Sequence, residues 1–125
     1  EETKKANLSP EELEKGMQLA ASQLSAFHRL GGRVLFGTDV GYILHFNTLE
    51  EFIWMNKAGL GFREILATLT TNPAKQFHSE ERSGQIKPGF EADLTILEED
   101  PANKVSAFSN VRYTIRSGKI IYQSK

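Results

Sequence analysis

The pattern of the sequence changes near residue 80, and this change limits the possible folds more than any other feature. Before it, apolar residues recur mostly at helical spacing. After it, short segments rich in Ile, Leu, Val and Tyr alternate with the turn dipeptides Pro88-Gly89, Asp100-Pro101 and Ser117-Gly118. We therefore expect an α/β part over residues 1–80 and a small β part over residues 81–125.

The first helix has clear signals at both ends. Ser9 can cap it, Pro10 suits the first helical position, and Glu12 can complete a capping box. Gly31-Gly32 supplies the stop. Apolar residues at steps of three and four form one face of this helix: Leu13, Met17, Ala20, Leu24 and Phe27. The spacing predicts an amphipathic helix of about 20 residues.

A short continuous apolar run, Val34–Phe36, follows between two glycines. Such a run is typical of a strand that is buried on both faces in a parallel sheet. Two more helices are expected after it. One is capped by Thr48 and ends near Gly59, and the other runs from Phe62 to about Thr70, before Asn72-Pro73 interrupts the helical pattern.

The β part should contain three strands. They are expected near Asp93–Leu97, Val111–Ser117 and Lys119–Tyr122. Because only Ser117-Gly118 separates the last two, a tight hairpin should join them.

Composition excludes several classes of function. The 125 residues carry 15 Lys+Arg and 16 Asp+Glu, and the basic residues form no cluster, which argues against a nucleic-acid or membrane surface. Without cysteine there is no disulfide, thiolate zinc site or cysteine nucleophile. No apolar stretch approaches the roughly 20 residues of a membrane span. The start lacks Met and a signal-peptide pattern, so we expect a fragment of a soluble protein, with the cytoplasm favoured.

Asp39 is the first candidate for chemistry, because it lies just past the predicted strand. It could cap the next turn, or it could act as a metal ligand or general base where the strand ends. His45 lies six residues further on and could reach the same site or belong to an ordinary loop. His28 and His78 are expected to have structural or surface roles, at a helix face and a helix end.

Four segments in this order resemble the C-terminal third of the metal-dependent amidohydrolases, in the imidazolonepropionase-like and prolidase-like branch. They are residues 33–39 (RVLFGTD), 58–67 (AGLGFREILA), 70–74 (TTNPA) and 84–94 (GQIKPGFEADL). The resemblance extends over residues 10–122. It implies that residues 1–80 are the last units of a (β/α)8 barrel, with Val34–Phe36 as the last strand. Residues 81–125 would then be the C-terminal strands of a flanking composite β-sandwich.

The same resemblance implies a chemistry. Asp39 matches a metal-ligating aspartate that also moves a proton from the metal-bound water to the departing amine, and His45 would approach the substrate. The metal would be divalent, with zinc favoured, in an intact parent that hydrolyses C–N bonds of small amides, cyclic amides or dipeptides. The other ligands of that family, including an HxH pair, have no counterpart in this sequence.

Because those ligands are missing, we expect the chain alone to be inactive. The divalent metal is expected in the intact parent, and the chain alone could lack it. The faces that a barrel and a sandwich would cover should promote self-association or pairing with the missing N-terminal part. The alternative is a non-catalytic structural or interaction module that keeps this fold.

Overall fold

The computed structural model describes residues 9–39 and 46–125, in which helices precede strands. The elements are α1 (Pro10–Arg29), α2 (Leu49–Lys57), α3 (Phe62–Leu69), α4 (Thr71–Gln76), β1 (Leu94–Leu97), a 3-10 helix (Val105–Ser109), β2 (Val111–Arg116) and β3 (Lys119–Gln123). The predicted change from helical to β structure near residue 80 is therefore confirmed.

Helix α1 begins and ends where the sequence predicts. The Glu12 backbone N–H donates to Ser9 Oγ at 3.2 Å, and the Ser9 N–H donates to Glu12 Oε2 at 2.7 Å, which completes the capping box. Gly31 follows the helix with φ +82°, a conformation that favours glycine. No residue of α1 is buried, although Ala21 and Leu24 pack against the core.

The core lies between α2, α3 and the 3-10 helix. Leu60 and Ile65 are fully enclosed, with 0% of their surface exposed. Phe52 packs against Phe108 with ring centroids 5.3 Å apart, and this contact joins the helical part to the β part. The helices α2 and α3 and the 3-10 helix, with their connecting residues, are called the central core below.

The predicted strand Val34–Phe36 does not form within the described residues. Residues 32–39 run without regular secondary structure, Val34 and Phe36 are half-buried, and Leu35 is exposed. A strand requires a neighbouring strand to satisfy its backbone groups, and the described part of the chain places none beside this one. The expectation of a strand buried on both faces is thus wrong for this chain by itself.

Two helix boundaries differ from expectation. Thr48 makes no side-chain cap; Asn47 Oδ1 instead accepts the Leu49 N–H at 3.0 Å. The break between α3 and α4 lies at Thr70, with φ −130° and ψ −83°, so α4 continues through Pro73. A proline is tolerated there because the first turn of a helix needs no intrahelical N–H donor.

The β part agrees with its prediction. Strands β1, β2 and β3 form an antiparallel sheet in that order. The hairpin turn is Ser117-Gly118, with φ +49° and +75°, as a tight two-residue hairpin loop requires. The Ser117 N–H donates to Asp93 Oδ1 at 2.6 Å, which ties the turn to the start of β1. All residues of β3 are exposed, so this strand is an uncovered edge within the described structure.

Candidate functional site

Asp39 is the last residue of the segment of residues 32–39, which has no regular secondary structure, and it is exposed. Its φ of +52° is left-handed, which is uncommon for a residue with a Cβ and which Asp tolerates better than most. His45, the other predicted site residue, lies outside the described residues. His28 is half-buried at the end of α1, and His78 is exposed after α4.

Helices hold the segment that leads to Asp39 at several points. The Phe36 N–H donates to the Thr68 carbonyl oxygen at 3.1 Å. The Asn72 side-chain amide donates to the Val34 carbonyl oxygen at 2.9 Å. The rings of Phe36 and Phe52 stack with centroids 4.8 Å apart. The segment is therefore anchored to α2, α3 and α4 at once.

Asn72 and Thr68 were not predicted as site-supporting residues. The sequence pattern marks Asn72 only as part of an interruption before Pro73, and Thr68 as one position in a helix. The sequence carried no signal for either role, because the Phe36–Thr68 and Val34–Asn72 bonds join residues 32 and 38 positions apart.

An open cavity of about 310 Å³ lies at the other end of the segment, where Arg33 begins it. His28, Glu64 and Lys75 contribute charged or titratable groups to its wall. Asp39 does not line this cavity, so the two features are separate places on the chain.

The described residues do not assemble a metal centre. Within residues 9–39 and 46–125, no three His, Cys, Asp or Glu side chains are grouped as metal ligands would be. Asp39 could supply one carboxylate, whereas a catalytic zinc site commonly needs three protein ligands. None of the helices in the described ranges is long and apolar enough to cross a membrane.

The chain belongs to the amidohydrolase family, whose family model matches residues 8–122. This confirms the resemblance found in the sequence.

Individual relatives match only in part. A dihydroorotase of Clostridium acetobutylicum is 35% identical over 83 aligned residues, which cover 53% of this chain and 19% of the relative. A Xaa-Pro dipeptidase with methionine bound in its active site superposes with a TM-score of 0.75 and 27% identity, over 83% of this chain and 25% of that one.

A prolidase complexed with N-methylphosphonate-L-proline superposes with a TM-score of 0.77 over 94% of this chain and 30% of its own, at 23% identity, and so shows the fold alone. The chain spans between 19% and 30% of the length of these three proteins.

Proposed function

We propose that this chain is the C-terminal part of a longer metal-dependent hydrolase that cleaves C–N bonds in small amides, cyclic amides or dipeptides. The observation that carries the proposal is the place of Asp39, directly after a helix-anchored extended segment and within the family match. The similarity to a Xaa-Pro dipeptidase and to a dihydroorotase supports the substrate class. Residues 1–80 would complete a barrel, and residues 81–125 would complete a flanking β-sandwich.

Asp39 is the proposed catalytic base and one of the proposed metal ligands. Its exposed carboxylate can accept a proton from an attacking water, and the carboxylic acid so formed can donate that proton to the departing amine. The metal, with zinc favoured, would make that water more acidic. Because the described residues do not assemble a metal centre, its other ligands would come from outside them.

His45 is the proposed substrate-contacting residue. It lies six residues after Asp39, so a loop could bring both to the same site. The proposal for His45 rests on the sequence alone.

The proposed partner is the remaining part of the longer protein. Several large apolar side chains are half or more exposed: Leu13, Leu19, Phe27, Ile120, Ile121 and Tyr122. Large exposed apolar surfaces commonly mark contacts with other protein surfaces. They lie on α1 and β3, neither of which has a buried residue. These faces would contact the rest of the barrel and of the sandwich.

Replacement of the Asp39 carboxylate tests the proposed function. In the longer protein, Asp39→Asn should lower kcat for a Xaa-Pro dipeptide or a cyclic amide by about 10²- to 10⁴-fold, because the amide cannot accept the proton. The measurement is steady-state turnover with zinc present. Glu80→Gln, which also replaces a carboxylate with an amide but at an exposed position after α4, is the control.

Two results would contradict the proposal. Full turnover in Asp39→Asn would remove Asp39 from the mechanism. A wild-type longer protein that neither binds zinc nor hydrolyses either substrate would favour the non-catalytic module instead.

A further inference from the structure

We propose that Asn72 is a positioning residue, which fixes the extended segment of residues 33–39 and thereby the place of Asp39. The inference rests on the proposed function of Asp39. It concerns how α3 and α4 hold that segment in this chain, where the described residues place no strand beside it.

Burial alternates along residues 32–39 between half-buried and exposed positions, as it does in an extended chain. In an extended chain, the N–H and C=O groups of residues i and i+2 point to the same edge. The two long-range hydrogen bonds described for the backbone of the segment use the Val34 C=O and the Phe36 N–H, so both lie on one edge. The helices thus occupy this edge in the manner of a neighbouring strand, with the Asn72 amide as one donor and the Thr68 carbonyl as the acceptor.

The Asn72 bond is made by a side chain to the backbone of the segment, so one substitution can remove it. It joins residues 38 positions apart and is partly buried. The Thr68 carbonyl is a backbone group, and the Phe36–Phe52 stack also belongs to the core. Asn72 therefore offers a way to loosen the segment while the core stays intact.

The position of Phe36 limits the position of Asp39. Asp39 lies three residues after Phe36, so the Cα atoms of the two are at most about 11 Å apart. A segment fixed at Val34 and Phe36 therefore confines where the carboxylate can be. When the segment is released, Asp39 samples more positions, and fewer of them suit proton transfer, which depends strongly on geometry.

Amide hydrogen exchange on this chain provides the first test. Asn72→Asp keeps the shape of the side chain but replaces the donor with an acceptor facing the Val34 carbonyl oxygen. We expect the protection of the Phe36 amide to fall about 2- to 10-fold, the range that one hydrogen bond commonly contributes. Protection of the Ile65 amide, which donates to the Gly61 carbonyl oxygen inside the core, should remain unchanged.

Two further variants separate local from general effects. Asn72→Ala should loosen the segment in the same way without adding a charge. Gln76→Ala is the matched control. Gln76 Oε1 accepts a hydrogen bond of 3.3 Å from Arg33 Nη1, so Gln76 also contacts the segment, but through an exposed side chain rather than through the backbone edge that Asn72 uses. It should leave the Phe36 amide protected.

Turnover of the longer protein provides the second test. Asn72→Asp should lower kcat about 10-fold and change KM less than about 2-fold, because the substrate still binds while Asp39 is misplaced. Equal loss of protection at Phe36 and Ile65, or no loss at either amide, would overturn the positioning role. An unchanged kcat beside a loosened segment would overturn it too. If the wild-type protein has no turnover, the proposed function fails, and the exchange result still decides whether Asn72 holds the segment.

Discussion

The central core and the elements on either side of it are stabilised in different ways. In the core, Leu60 and Ile65 are fully enclosed and Phe52 and Phe108 are nearly so. Helix α1 has no buried residue, and every residue of β3 is exposed. The core is held by burial of apolar surface, whereas α1 and β3 depend on local hydrogen bonds and on pairing along the chain.

This difference shows which parts of the chain are stabilised by packing within the chain itself. The core is formed mainly by residues 52–69 and Phe108. The exposed apolar side chains of β3, 61% exposed at Ile120 and 63% at Ile121, have no such cover in the described structure. We therefore expect substitutions to have their largest effects in the core and smaller ones towards α1.

A cavity at the centre of the core should have the largest effect. Ile65→Ala should lower the free energy of unfolding by about 2–5 kcal/mol, because it removes apolar contacts and leaves a void that the packed helices cannot fill. Urea denaturation followed by circular dichroism measures this. Leu66→Ala is the control: Leu66 is 42% exposed on the same helix, so its loss should be much smaller. Similar losses in both variants would show that the core is not the main source of stability.

The joint between the helical part and the β part should give the next largest effect. Gly84 has φ +81°, and a Cβ there would lie 2.7 Å from the Ala74 Cβ and 2.9 Å from the Thr70 carbonyl oxygen. Gly84→Ala should cost about 2–4 kcal/mol, from the left-handed backbone and the clash together.

Gly89→Ala separates these two causes. Gly89 has φ +87° but nothing within 4 Å of an added Cβ, so only the backbone cost of about 1–2 kcal/mol applies. Thermal or urea unfolding of the two variants gives the comparison. Equal costs would mean that close packing of Gly84 on α4 contributes nothing.

The elements that the sequence predicts well are those with local causes. The capping box of α1 and the Ser117-Gly118 hairpin depend on residues within four positions of each other, and both are formed. The Val34–Phe36 strand depends on neighbouring strands, which apolar periodicity cannot supply. The prediction failed there because the chain offers helices, through Thr68 and Asn72, in place of a strand partner.

The same distinction between local and long-range causes applies to the candidate site. Asp39 could be predicted because it and the residues around it match a motif of a known family. The role of Asn72 could not, since its hydrogen bond spans 38 residues and only the folded chain brings the two groups together.

The smallest effect is expected at the start of α1, where no burial supports the helix. The Ser9 backbone N–H, and then the Ser9 hydroxyl, lower the pKa of Glu12 below its usual 4.5. A carboxylate whose pKa falls on folding stabilises the folded form above the unfolded pKa, and this stabilisation is lost as the pH falls through the folded pKa. Below pH 4.5, the first turn of α1 should therefore lose amide protection before the core does.

A matched variant identifies the cause. Glu12→Gln keeps an acceptor for the Ser9 N–H but does not titrate, so its first turn should be somewhat weaker at neutral pH and nearly independent of pH between about 5 and 3. Amide exchange at Leu13, whose N–H donates to the Ser9 carbonyl oxygen at 3.0 Å, measures this, with Ile65 as the reference in the core. The same pH dependence at Leu13 in both proteins would assign the fraying to another group. Loss of protection at Ile65 together with Leu13 would mean that α1 and the core unfold as one unit, although no residue of α1 is buried.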